Sequence, residues 1–439
     1  MLRSKSFSES SVLSSADFML KPVEMKKSLT IPGNIKVVKA TNQVERTHFV
    51  LWALILFLFI TVGRIQEIIS GLAAIYPGKV FGILMILAYI FYSGEKNRIT
   101  LRGFPELVCI LGILLIGLLS IPFSVWPRNS LEFMIGFLIK DMAFFYIIAT
   151  TLTRVNQLRK IVFGWIVAVD LLSIVALNIR TGISRISAST RYDPNDLAFL
   201  LLCVLPFVIF SFFKEKGIKK LFLFLSGGLI LTTIIFTRSR GGFVGLLVVG
   251  AVILFKTFKK SKLLAVLILL GSIAVFSFVA PSGYWERMET IVEPGKDYNI
   301  SDPAGRIEVW KRGFNLMIGN PLTGAGIGNF TTAEGQSHKD EGGKWSTAHN
   351  SFIQIGGELG IGGLILFILL IYYLFKRIRK IISKDPQIKT FKDSLEVSLI
   401  GYVTGGFFLS QAYSVILYLI VGLVIALYYI DKRSDLNHV

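Results

Sequence analysis

Apolar residues in this chain gather in long runs with almost no polar break, separated by short charged connections. Such runs read as helices apolar on every side, the form a bilayer favours because all backbone groups are paired within the segment. Twelve can be placed, near Phe49–Val62, Val80–Tyr92, Leu107–Phe123, Leu131–Thr150, Ile161–Leu177, Leu197–Phe213, Leu221–Phe236, Phe243–Phe255, Leu263–Val279, Phe352–Phe375, Val397–Ala412 and Val415–Ile430. Several fall short of the roughly twenty residues of a full crossing, so flanking residues must complete them. The expected fold is all-α, a polytopic membrane protein of about twelve transmembrane helices.

One interval breaks the rhythm. Between Val279 and Phe352 no spanning run occurs over roughly seventy residues, and long loops on a rigid scaffold are where binding and chemistry concentrate. Within it, Pro281–Glu293 and Arg306–Met317 place apolar residues at helical spacing among charges, as amphipathic helices on a membrane surface do. The EPGKDYNISDPAG between them is a turn-rich linker. The expected organisation is a largely disordered tail over 1–47, transmembrane helices one to nine over 48–280, an outer loop over 281–351, helices ten to twelve over 352–430 and a short tail over 431–439.

Composition excludes a soluble globular protein: of 439 residues 53% are hydrophobic, 35 are Phe, and the mean hydropathy is +0.64. The net charge of +19 would suggest nucleic acid in a soluble chain, but here the basic residues flank apolar runs, where they set topology and meet anionic headgroups. With the N-terminus inside, 31 of the 47 Lys and Arg fall on the inner side and 15 on the outer, with Lys140 inside a span. Both termini are therefore expected in the cytoplasm and the long loop outside. Met1–Arg46 lacks the uninterrupted apolar core and cleavage site of a signal peptide. Cys109 and Cys203 both fall in apolar runs, which suits small core hydrophobes rather than a disulfide or metal site.

The outer arginines stand against the topological bias. Arg180, Arg185 and Arg191 precede the sixth helix, Arg238 and Arg240 sit in FTRSRGG at the outer end of the seventh, and Arg306 and Arg312 lie in the long loop. A guanidinium is a fixed charge with a planar fork of donors suited to phosphate, so their convergence points to an anionic ligand; the competing reading is headgroup contact or snorkelling. In RYDPNDLAF, Asn195 or Asp196 can cap the sixth helix, and Asp193 and Asn195 are second-tier site candidates that can orient an arginine or a sugar hydroxyl. Lys140, Asp141 and Asp170 interrupt apolar runs and need partners. GNPLTGAGIGNF lacks the preceding strand and the Lys-Ser/Thr of a phosphate loop and reads as a tight bend. His349, at the entry to the tenth helix, is the candidate general base, with Asn350 and Ser351 available for capping. No cluster has metal-ligand spacing, and neither metal nor cofactor is expected.

The end of the loop fits the pattern H-[NSQ]-x9-G-x-x-G: His349, Asn350, nine residues from Ser351 to Leu359, then Gly360 and Gly363. Together with SRGG at Ser239–Gly242, Arg306-x3-Trp310, NPLTGAGIGNF and DPND, the chain from about Arg191 to Tyr373 resembles the bacterial O-antigen ligase and O-antigen polymerase superfamily of Wzy-C-type membrane proteins. The resemblance implies a GT-C-type glycosyltransferase of the bacterial inner membrane, its active site facing the periplasm. Such enzymes take a glycan from an undecaprenyl-diphosphate carrier and pass it to a hydroxyl in lipopolysaccharide or other surface polysaccharide assembly, without metal. Under that resemblance His349 and Arg306 are catalytic, and Arg240, with Arg238, Arg312 and Arg191, binds the diphosphate; Asn350 joins the second tier. The acceptor stays open between lipid A-core, as for a ligase, another carrier-linked glycan, as for a polymerase, and protein. An inorganic-carbon-type transporter and a non-catalytic assembly subunit are the alternatives; against the transporter, no inverted repeat is visible and the ionisable residues concentrate at one face.

Overall fold

The structure, a computed structural model, describes residues 44–69, 71, 76–92, 99, 101, 103–178, 185–188, 192–259, 261–293, 305–339 and 345–436. The proposed N-terminal tail and the linker after Glu293 lie almost wholly outside these residues.

Each of the twelve apolar runs forms a helix. They are α1 (Val44–Thr61), α2 (Pro77–Tyr92), α3 (Pro105–Ser120), α4 (Pro127–Thr151), α5 (Val155–Asn178), α6 (Pro194–Phe212), α7 (Gly217–Thr237), α8 (Arg240–Phe258) and α9 (Lys262–Val279). After the loop helices α10 (Tyr284–Glu289), α11 (Arg306–Gly319) and α12 (Phe330–Gln336) come α13 (Ser351–Arg379), α14 (Pro386–Gly406) and α15 (Val415–Leu436). Among the described residues nine helices are long and apolar enough to cross a membrane: α3 to α9, α13 and α15. α1 and α2 are apolar but shorter. No strand occurs among the described residues beyond one isolated bridge, Ala188 to Tyr192.

The helices start where capping chemistry directs. Pro105, Pro127, Pro194 and Pro386 each open a helix at its first position, where a missing N–H costs nothing. Ser239, Asn350 and Asp385 cap α8, α13 and α14 through their side-chain oxygens. The cap of α6 is Asp193, accepting from the N–H groups of Asn195 and Asp196 at 2.7 and 2.8 Å, rather than either of those residues. α14 also departs from expectation. It begins about ten residues before its apolar run, because the pair Lys256 to Asp393 (2.9 Å) and Glu396 (2.7 Å) neutralises the charged first half, and it ends at Gly405–Gly406. Residues 407–414 are thereby left as a connection that reaches the candidate site.

α15 is the buried centre, packed against α4 and α14, while α9 stands at the periphery with little of its surface covered. Lys140 and Asp141 fall in a π-helical turn, Leu138–Met142, inside α4. Asp170 finds its partner in Ser226, whose hydroxyl donates at 2.9 Å and joins α5 to α7. At the end of α13, Arg377 makes a two-pronged pair with Glu106 at 2.9 and 2.8 Å and lies over the rings of Phe104 and Tyr428.

α13 is broken at Gly360, where φ is +68° and ψ is −166°. GNPLTGAGIGNF folds against this break. The N–H groups of Ala325 and Gly326 donate to the carbonyls of Gly357 and Glu358 at 2.8 and 3.0 Å, and Ile361 N–H donates to Pro321 O at 2.9 Å. The glycine-rich stretch thus pairs the backbone groups that the interrupted helix leaves open. Glu358 adds to the clasp by accepting from the N–H groups of Gly328 and Phe330. The tight bend expected from the glycines exists, and its purpose is to hold the loop helices over one end of the bundle.

Candidate active site

Four helices begin around one small cavity. Its lining includes Asn195 at the start of α6, Arg240 and Gly241 at the start of α8, Arg306 at the start of α11 and His349 just before α13. Arg185, from the segment before α6, and Arg287 of α10 complete it. The cavity measures about 140 Å³. Four guanidinium groups line it, and no carboxylate does among the described residues. Helix N-termini carry partial positive charge, so cations placed there are disfavoured unless a bound anion compensates them.

The arginines are held by their own neighbours. Arg185 donates from Nε to Thr237 O at 3.0 Å and from Nη2 to Asn195 Oδ1 at 2.9 Å. The same Asn195 oxygen accepts from the Ser239 hydroxyl at 2.8 Å, and Ser239 in turn caps α8 through Gly242 N–H. Gly242 allows this close approach, since a Cβ there would lie 2.6 Å from that of Ala198. Arg240 donates to Thr290 Oγ1 at 2.9 Å, and Arg287 donates from Nε to the carbonyl of Arg238 at 2.9 Å. Burial pushes the Arg185 guanidinium down to about 10, helped by the charges of Arg287, Arg240 and Arg306 and opposed by Asp193. A guanidinium is charged at any physiological pH, so four of them around one cavity concentrate mutually repelling positive charge.

His349 has a left-handed backbone, φ +46°, an unfavourable conformation for a residue with a Cβ. Its N–H donates to Ser410 Oγ at 2.9 Å, and Nε2 lies 3.4 Å from Thr347 Oγ1. Neighbouring groups fix the segment on both sides. Trp310 of α11 donates from Nε1 to Ala348 O at 3.0 Å, and Asn350 caps α13. Ser351 does not cap; its hydroxyl donates to Leu409 O and accepts from Gln411 N–H. Gln411 also donates to Asp196 Oδ1 at 2.8 Å, so the connection after α14 ties the histidine segment to α6.

The structure brings Arg240, Arg306, His349 and Asn195 together, with Asp193 and Asn350 acting beside them as caps. It does not bring Arg312, whose Nε donates to buried Glu334 at 2.9 Å and whose Nη2 lies at ion-pair distance, 2.8 Å, from the same oxygen. The hydrophobic face of α11 and this ion pair turn Arg312 toward α12. Nor does Arg238 line the cavity; it ends α7 in a left-handed conformation and offers its carbonyl to Arg287. Arg191 lies outside the described residues. Two lining arginines were not among the leading candidates. In the sequence Arg185 is one of several outer cations, and Arg287, inside YWERMET, gives no signal beyond its place in an amphipathic segment.

Residues 221–368 match the family model described as O-Antigen ligase (Wzy_C). A protein of Rickettsia conorii named "Putative polysaccharide ligase" is 24% identical over 314 residues, 67% of this chain and 71% of that protein. A protein of Rickettsia felis with the same name is 26% identical over 191 residues, 40% of this chain and 44% of its own length. The matched segment spans SRGG, Arg306 and the His349 motif, so a chain whose described residues include nine helices long and apolar enough to cross a membrane is similar over that segment to the O-Antigen ligase family, in agreement with the resemblance read from its motifs.

Proposed function

We propose that this protein is a glycosyltransferase that moves a glycan from an undecaprenyl-diphosphate carrier to a hydroxyl acceptor, with Arg185, Arg240, Arg287 and Arg306 binding the diphosphate and His349 acting as general base. The observation that carries the reading is the meeting of four guanidinium groups and one imidazole around a single cavity. The acceptor oxygen attacks the anomeric carbon while the bond from that carbon to the phosphate oxygen breaks. The electron pair leaves with the carrier diphosphate, and the acceptor proton passes to the His349 ring. Charge grows on the diphosphate as the bond breaks, so guanidinium groups fixed in advance stabilise the transition state more than the ground state. The leaving group is already activated, and the step as written draws on no metal.

Arg306, which the resemblance implies is catalytic, acts in this reading as one of the diphosphate ligands. The arginine cluster at the helix ends, rather than at mid-span, favours a transferase over a transporter. The names of the family and of the Rickettsia proteins favour a ligase over a polymerase. In this reading the cavity faces the periplasm of the inner membrane, both termini are cytoplasmic and the twelve helices of the bundle span in the GT-C manner. The test is transfer by purified protein supplied with carrier-linked glycan and lipid A-core in the presence of chelator. Product on lipid A-core is expected; lengthened carrier-linked glycan alone would replace the ligase with a polymerase, and no transfer by a folded, lipid-reconstituted protein would remove the reading.

A further inference from the structure

At the face opposite the arginine cavity, a second and larger opening lies where α5, α7 and α14 part around the last turn of α6. Its volume is about 690 Å³, against about 140 Å³ for the arginine cavity. Val162, Ile166, Leu223 and Phe391 form a buried apolar floor. The mouth is basic. Arg159, Lys160, Lys214 and Lys219 surround it, and of these Arg159 pairs with Glu215 at 3.3 Å. The three lysines have no carboxylate partner among the described residues. Lys219 stands in the first turn of α7, whose N-terminus has no side-chain cap. An apolar slot between spanning helices, closed at its mouth by uncompensated positive charge, matches a molecule with a hydrocarbon chain and an anionic head.

We propose that this cleft binds one anionic phospholipid of the leaflet opposite the arginine cavity, an acyl chain lying on the apolar floor and the phosphodiester among Lys160, Lys214 and Lys219. Isolated basic residues near a membrane surface each strengthen binding of an anionic lipid severalfold. Here three act on one headgroup, and the cleft supplies a place for the chain that a flat surface lacks. A water-soluble anion satisfies the lysines and leaves the floor empty, whereas a zwitterionic lipid fills the floor and leaves the charge partly uncompensated. The proposal is independent of the chemistry proposed for the arginine cavity.

The test is native mass spectrometry of the full chain after equilibration with equimolar dioleoylphosphatidylglycerol and dioleoylphosphatidylcholine. The wild type is expected to retain one phosphatidylglycerol in preference to phosphatidylcholine. K160Q/K214Q/K219Q is expected to lose that preference by at least about tenfold, and T390W, which fills the mouth, to lose retention of both lipids. Glycerol phosphate, the head without chains, is expected not to displace the lipid. Equal retention of the two lipids by the wild type, or displacement by glycerol phosphate, overturns the proposal; both arms use unmutated protein and stand even if a variant fails to fold.

Discussion

The Arg185 guanidinium reaches Asn195 Oδ1 at 2.9 Å, and the same oxygen accepts the Ser239 hydroxyl at 2.8 Å. One amide therefore fixes an arginine of the cavity and the cap of the helix that begins with another, Arg240. N195A removes both attachments while leaving the four charges in place. Hydrogen bonds to charged groups contribute about 1.5–3 kcal/mol, so transfer measured as kcat/KM is expected to fall about ten- to hundredfold. N195D places a carboxylate beside Arg185 and is expected to raise KM for the carrier-linked donor more than it lowers kcat.

Four guanidinium groups crowded around one cavity repel one another, which costs the empty protein stability. R240Q/R287Q relieves that repulsion while removing the donors to Thr290 Oγ1 and the Arg238 carbonyl, and is expected to melt near the wild-type temperature when no ligand is present. Inorganic pyrophosphate at about a hundred times its Kd is expected to stabilise the wild type by about 2.7 kcal/mol and to leave this variant unchanged. Thermal melting followed by tryptophan fluorescence reads both effects, and equal stabilisation of the two proteins contradicts the assignment.

Arg185 gives the site a pH limit. Its ordinary value is lowered to about 10 in the fold, so below that pH the guanidinium is charged and its cost to the empty fold is present in full. Above it the folded protein sheds this proton before the unfolded chain does, and that cost is relieved. Pyrophosphate affinity is accordingly expected to be flat from pH 7 to 9 and to decline as pH passes about 10, as isothermal titration would record.

Gly360 carries the break in α13. A Cβ there would lie 2.3 Å from Pro321 O, at a φ of +68°. G360A is expected to cost about 3 kcal/mol or more and to release the 319–330 stretch from the break, read as a fall in both melting temperature and the yield of monodisperse protein.

Helix positions were legible in the sequence because a bilayer forces spanning segments to be long and apolar, whereas the π-helical turn that holds Lys140 and Asp141 was not. α14 was misplaced by about ten residues because its charged half is made tolerable by Lys256, a partner 137 residues away in sequence. The same limit applied to the site. SRGG, Arg306 and His349 were visible as motifs, but a contact such as Arg287 to the Arg238 carbonyl, or Arg312 to Glu334, is decided by how the loop helices fold back. A single arginine in an amphipathic segment carries no sign of which way it turns.

The central claim is that the imidazole of His349 takes the acceptor proton while the arginine cavity holds the departing diphosphate. Single-turnover transfer by purified wild type, H349A and H349Q, with carrier-linked glycan and acceptor both saturating, tests it most directly. The account predicts that both variants bind donor as the wild type does and transfer it about a hundredfold more slowly or worse. Transfer by H349A at the wild-type rate, with donor binding intact, would contradict it.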